Sequence, residues 1–234
     1  MLKPTSRSAL CAFCGDPATT KDHVPPKNIF LKPRPSDLIT VDACGKCNQG
    51  ASGDDDKFRT FISLSVGAGS PKTLALWQKG AFPSVIHNKR ELFRIARSME
   101  RAPVHSKGGI YLGTATQATF EAGPHDRTIE KITRGLYCHE FSERLPKECP
   151  VEVVMVNSRD PTWGPSIRPT LQLMQIRSVG GSDVFEYAFA RAPEQPQSSL
   201  WLFRFYAGHV AVASTGRIAY AEVEPPSITN DTPP

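Results

Sequence analysis

Two Cys-x-x-Cys pairs constrain this chain more than anything else in it: Cys11-Ala-Phe-Cys14 and Cys44-Gly-Lys-Cys47, with 29 residues between them. Each pair sets two thiols on one tight turn, the separation required by two corners of a zinc tetrahedron. Gly15 and Gly45 supply the backbone freedom such turns use. The opening MLKPTSRSAL lacks a long apolar stretch, so no secretory signal is expected and disulfides are the poorer explanation in a reducing, cytoplasmic setting. A redox pair would leave the second pair without a role. The spacer exceeds the 15–20 residues of common zinc ribbons, which predicts a structured insertion between the two halves of the site. Cys138 and Cys149 have no partner at ligand spacing and read as buried or unremarkable thiols.

The insertion carries chemistry of its own. It reads Thr20-Lys-Asp-His-Val-Pro-Pro-Lys-Asn-Ile-Phe30, and the second pair runs into Asn48. On a strand, Asp22 and His23 point to opposite faces, and at a bulge or loop edge they can instead diverge, one towards a metal and one towards a water. Histidine is the natural general base near neutrality, and a carboxylate oxygen suits Mg²⁺. Asn48, next to Cys47, offers an amide oxygen held by the structural metal.

This order of residues, Cys-x-x-Cys, then Asp-His-Val-Pro-Pro, then Cys-x-x-Cys-Asn, resembles the HNH endonuclease family and covers roughly residues 9–65. The resemblance implies a ββα-metal core in which a zinc on Cys11, Cys14, Cys44 and Cys47 clamps a hairpin to a helix. It implies His23 as general base, with Asp22 and Asn48 as ligands of a catalytic Mg²⁺ (or Mn²⁺ or Ni²⁺). It further implies hydrolysis of phosphodiester bonds, in DNA before RNA. The family's middle Asn falls near Asp37, a departure whose reading is divided between loop brace and exposed turn acid. Ser52, at a position where some relatives carry a further ligand, is a poor one. Asp54-Asp55-Asp56 reads as the first turn of a helix, where acids face the positive end of the dipole; only Asp54 is a candidate ligand. The alternative is a zinc module that binds nucleic acid or protein without catalysis.

Charge and periodicity organise the remainder. The net charge is +5, yet residues 72–107 alone hold eight Lys or Arg against two Glu. A local excess of this kind suits a polyanion. Ser70-Pro71 predicts a helix start. A longer helix is predicted over about 84–101, with Val85, Leu92, Ile95, Ala96 and Met99 on a core-facing stripe and Arg90, Arg94, Arg97 and Arg101 opposite. These arginines are the candidate nucleic-acid contacts, with Lys27 and Lys46 as weaker ones. A strand over 110–120, a helix over 126–140 and strand-like runs at 151–156, 171–177, 183–190, 200–206 and 210–214 predict an α+β fold with a mainly antiparallel sheet. The expected organisation is a zinc-binding core (1–68), a basic helical segment (69–104), an α+β region (105–224) and a disordered Pro-rich tail (225–234). No apolar run approaches the about 18 residues of a membrane span. Oligomeric state is not legible.

Overall fold

The structure is a computed structural model and describes residues 9–65, 70–106, 108–156 and 163–216; the expected tail falls outside them. The chain begins with an antiparallel strand pair, β1 (Thr20–His23) and β2 (Thr40–Ala43), in the register Thr20↔Ala43 and His23↔Thr40. A short 3₁₀ turn, Lys27–Ile29, lies in the connection. Two helices follow directly, α1 (Gly45–Gly50) and α2 (Ser52–Leu64). Cys44 caps α1 through its sulfur, which accepts the Cys47 N–H. Asp54 and Asp55 occupy the first turn of α2, as their position before an apolar period predicts.

The basic segment departs from its expected form. Ser70 caps α3 (Pro71–Leu76), which continues through a π-type turn at Trp77–Ala81 into α4 (Phe82–His87). The helix predicted over 84–101 is broken at Asn88, whose side chain accepts the Glu91 N–H and starts a separate α5 (Lys89–Arg97). An Asn three residues before a Glu is a capping signal, and it overrides the apparent continuity of the stripe. Arg101 therefore sits on a strand, β3 (Glu100–His105), paired with β4 (Tyr111–Gln117), and not on the arginine face of a helix. Of the expected core-facing stripe, Val85 and Ile95 are buried, while Leu92 and Met99 are exposed.

The largest sheet is antiparallel, in the order β5-β9-β8-β7-β6. Its strands are β5 (Val151–Val156), β6 (Gln175–Val179), β7 (Phe185–Arg191), β8 (Ser199–Phe205) and β9 (His209–Thr215). The strand expected from 171 starts later because a helix, α7 (Trp163–Leu171), occupies its first residue. Along β7 and β8 every second residue of one face is aromatic. The register sets Phe185 against Phe205, Tyr187 against Phe203 and Phe189 against Trp201. Three cross-strand aromatic pairs in succession form the floor of the core, and such pairs add to simple burial.

A long helix, α6 (Ala122–Phe141), lies between this floor and the N-terminal unit. Ile129, Ile132 and Leu136 are buried in the common core, and Phe141 meets the rings of Phe189 and Trp201. Lys131 and Gly135, one turn apart, serve the other side. A Cβ at Gly135 would come within 2.5 Å of Val24, so the helix approaches the end of β1 only because this position has no side chain. The hydrophobic core runs without a break from Cys11 to Ala213, across the expected boundary at residue 68. Tyr206 adds a polar tie, donating to the Ile29 carbonyl at 2.6 Å. Architecturally this is an α+β protein with antiparallel sheets and a four-cysteine cluster near its start. No helix among the described residues is long and apolar enough to cross a membrane.

Candidate active site

The two Cys-x-x-Cys turns come together. The Sγ atoms of Cys11, Cys14, Cys44 and Cys47 all lie within 4.8 Å of one another, and none is in a disulfide. Cys14 and Cys44, from different turns, have sulfurs 3.7 Å apart. Four thiols this close cannot all ionise without a cation. Burial pushes the Cys14 and Cys47 thiols up. Cys11 is drawn down to about 7, because backbone N–H groups around it outweigh its burial. A structural metal such as zinc removes the conflict, since it binds all four as thiolates in a closed tetrahedron.

The cluster is stitched to the strand pair. Ala12 donates to the Asp42 carbonyl at 2.8 Å and Thr19 to that of Ala43 at 3.0 Å, so the first turn is welded to β2. The second turn starts α1, and Asn48 on that helix reaches back to β1. Its Nδ2 donates to Thr20 Oγ1 and to the Lys21 carbonyl, both at 3.1 Å. Thr20 Oγ1 in turn donates to the Ala43 carbonyl at 3.0 Å, so it can only accept from Asn48. These partners fix which end of the amide faces the strand, and the carbonyl oxygen is the end turned away from it.

Asp22 and His23 close β1, in the register positions opposite Val41 and Thr40. Asp22 is buried. Its Oδ1 accepts the His23 backbone N–H at 2.8 Å, and its Oδ2 lies 2.8 Å from Lys131 Nζ on α6. That approach is off the direction a hydrogen bond needs, leaving Oδ2 with charge compensation but no directed donor. Lys131 also lies 3.5 Å from Asp55 Oδ2. Burial and the neighbouring Asp22 charge raise the Asp55 carboxyl to about 6, against the pull of Lys131. His23 is half-buried. Burial first, then the charges of Lys27 and Arg34, hold its pKa below the usual value, with Asp22 opposing. It is therefore a neutral imidazole at pH 7, with two cationic side chains close enough to act on it.

The candidate ligands of a catalytic divalent ion fit unevenly. Asn48 presents a fixed amide oxygen, which is a hard donor of the right kind. Asp22 is engaged with Lys131, and it could hold a divalent ion only by leaving that ammonium. No hydrogen bond joins Asp22 to Asn48 among the described residues. Asp54, the acid singled out as a possible further ligand, makes a two-pronged pair with Arg127 at 2.7 and 2.9 Å. Ser52 donates to the Gln49 carbonyl. Asp37 accepts the Gly180 N–H through both oxygens, at 3.2 and 3.0 Å, so it braces a loop of the large sheet to the β1–β2 connection.

Among the cationic candidates, Lys27, Lys46, Arg90, Arg97 and Arg101 are exposed. Arg94 is only half-exposed and is committed to Glu91 through two hydrogen bonds. Lys131 and Asp55 belong to the site and were not legible as such, because their partner Asp22 lies far away in sequence. The same holds for a second polar cluster. His125 Nε2 and His209 Nε2 are 3.0 Å apart, both residues buried, with Asp126 Oδ1 2.8 Å from His125 Nδ1. Rings of Phe58, Phe61 and Phe205 surround the pair. Burial keeps both imidazoles neutral, His209 down to about 3 with help from His125, so one Nε2–H donates to the other ring.

No protein-family model, no curated protein and no solved structure matches the chain.

Proposed function

We propose that this protein is a metal-dependent endonuclease of the HNH type that hydrolyses phosphodiester bonds in DNA. The observation that carries the reading is the bond from Asn48 to the backbone of β1. It brings the helix that starts at the cysteine cluster onto the strand that ends in Asp22-His23, so three residues of one predicted chemistry share one scaffold. The cysteine cluster fixes both elements and takes no part in the reaction, because four thiolates leave no open position.

In this reading His23 takes a proton from the attacking water, for which a neutral imidazole is required. Lys27 and Arg34, which already act on that ring, hold the negatively charged backbone in front of it. Asp22 and Asn48 are the residues that would hold a divalent ion such as Mg²⁺, whose charge would neutralise the scissile phosphate and the departing oxygen. Lys131 holds the Asp22 carboxylate until then. The product ends would be 5′-phosphate and 3′-hydroxyl.

A specific observation favours a second reading. Asp22 is buried and paired with Lys131, as a carboxylate with a purely structural role would be. The protein would then be a zinc module that binds nucleic acid and no longer cuts it. Plasmid cleavage with added Mg²⁺, Mn²⁺ or Ni²⁺ separates the two. Wild-type protein should nick supercoiled DNA, and His23→Ala should lose at least about a hundredfold in rate, the usual worth of a general base. The wild-type rate should fall as acid protonates His23, with a midpoint below the 6.5 of an ordinary histidine. Equal cutting by both proteins would remove His23 from the mechanism. Absence of cutting by either would leave the binding module.

A further inference from the structure

The exposed face of α5 has a composition that neither the core nor solvent accounts for. Arg90, Phe93 and Arg97 stand at positions i, i+3 and i+7, on one side of the helix. Phe93 is 68% exposed, and both arginines are exposed beside it. With Arg94 and Ser98 they line an open depression of about 600 Å³. The helix's acid is spent internally: Glu91 is buried and takes two hydrogen bonds from Arg94, which also lies over the Phe120 ring at 6.0 Å. The outward charge of this face is therefore cationic, from Arg90 and Arg97 with the exposed Lys89 one turn before the ring. Water is a poor partner for a phenyl ring, and a second copy of the same face would oppose cation to cation across the 72–107 segment.

We propose that this face is a binding platform for single-stranded DNA, with an unpaired base stacked on Phe93 and the flanking phosphates held by Arg90 and Arg97. The inference rests on the nuclease reading for its polyanion and adds to it the form of the substrate. A duplex hides the faces of its bases, so a flat apolar ring between two guanidiniums gains from stacking only where a base is unstacked. The guanidiniums serve either form, because phosphate contacts are indifferent to pairing. Polar links run from the candidate active site to the helix that precedes the platform. Asn28, just past His23, donates to Asp56 on α2; Asp56 pairs with Arg59, and Arg59 donates to Ser84 on the preceding helix α4.

The test is fluorescence anisotropy with a labelled dT oligonucleotide, a duplex of the same length and the matching rU oligonucleotide, using the full chain, zinc-loaded, in the His23→Ala background without added Mg²⁺. Binding then needs no cleavage, so a failed nuclease reading and a failed platform give different results. The expected result is tighter binding of dT than of duplex or rU. Phe93→Ala should weaken dT binding by about tenfold, a span typical of one lost base stack, while barely changing duplex binding. Phe93→Trp should keep it. The double variant Arg90→Gln, Arg97→Gln should weaken both forms and flatten the salt dependence. Zinc content and circular dichroism establish that each variant is folded, as expected for exposed positions. Unchanged dT binding in Phe93→Ala, preference for duplex or rU, no binding to any oligonucleotide at low salt, or dissociation of a dimer on Phe93→Ala would each overturn the proposal.

Discussion

The N-terminal unit and the five-stranded sheet solve the problem of holding a shape in opposite ways. The sheet does it with area: three aromatic pairs set opposite each other on β7 and β8, covered by Ile129, Ile132, Leu136 and Phe141 of α6. The N-terminal unit has strands of only four residues and an α1 of six that buries none, so the apolar burial it has is shared with the common core and not its own. Four sulfurs do there what six aromatic rings do in the sheet. The difference teaches where chemistry can be placed. A scaffold held by hydrogen bonds and by a cysteine cluster able to bind a metal can keep Asp22, His23 and Asn48 as polar groups on one strand and its neighbouring helix, whereas the sheet spends nearly every inward side chain on the core. Helix α6 joins the two, lending Lys131 to the Asp22 carboxylate and, at the bare Cα of Gly135, room for Val24.

Breaking the metal clip should give the largest effect. Zinc-finger peptides derive about 10–16 kcal/mol of folding free energy from their metal. Chelation, or Cys47→Ser, is expected to unfold residues 9–50 while the aromatic floor retains its near-ultraviolet circular dichroism at low temperature. Simultaneous loss of both signals would mean that the common core leaves neither region able to fold alone.

Removing the cation between the two regions should come next. Lys131→Met strips the counter-charge from Asp22 and Asp55, whose side chains are only 10% and 15% exposed. Unpairing buried charges costs roughly 3–5 kcal/mol. Asp55 has its carboxyl raised to about 6, so it is protonated below that pH and charged above it. The loss read by urea unfolding should therefore be greater at pH 8 than at pH 5, and adding Asp55→Asn should recover part of it at pH 8. A loss of equal size at both pH values would show that Lys131 acts through packing alone.

The smallest effect sharpens the picture on the sheet side. His125 and His209 are neutral in the fold with depressed pKa values, whereas unfolded histidines take up protons below about 6.5. Their contribution is complete above pH 6.5 and is lost as pH falls towards the folded values. His125 faces Asp126 and His209 faces His125, and Lys57, Arg94 and Glu121 line the cavity beside His125. The melting temperature of wild type should drop further between pH 7 and pH 5 than that of His209→Leu. Parallel curves would remove the histidine pair from the acid sensitivity, leaving it to the thiolates.

Local signals in the sequence translated well. The paired Cys-x-x-Cys turns, the acids opening α2 and the Ser70-Pro71 start of α3 are short-range patterns, and each sits where its chemistry places it; the strand runs of the sheet hold as well, except that the one expected from 171 begins at Gln175. The break at Asn88 was equally local, but an apolar stripe continuing through it masked the cap. Partners brought together only by the fold left no trace. Lys131 meets Asp22, and His125 meets a histidine 84 residues away, because the packing of α6 joins the N-terminal unit to the sheet. Gly135 inside an otherwise regular helix was the one visible hint that something approaches α6 closely at the end of β1.

Everything assigned to His23 and Asn48 depends on the four sulfurs binding one ion. X-ray absorption at the zinc edge on protein purified under reducing conditions tests that directly. One zinc per chain is expected, with four sulfur neighbours at about 2.3 Å. A shell containing nitrogen or oxygen in place of sulfur, or protein that folds with no zinc bound, would contradict it.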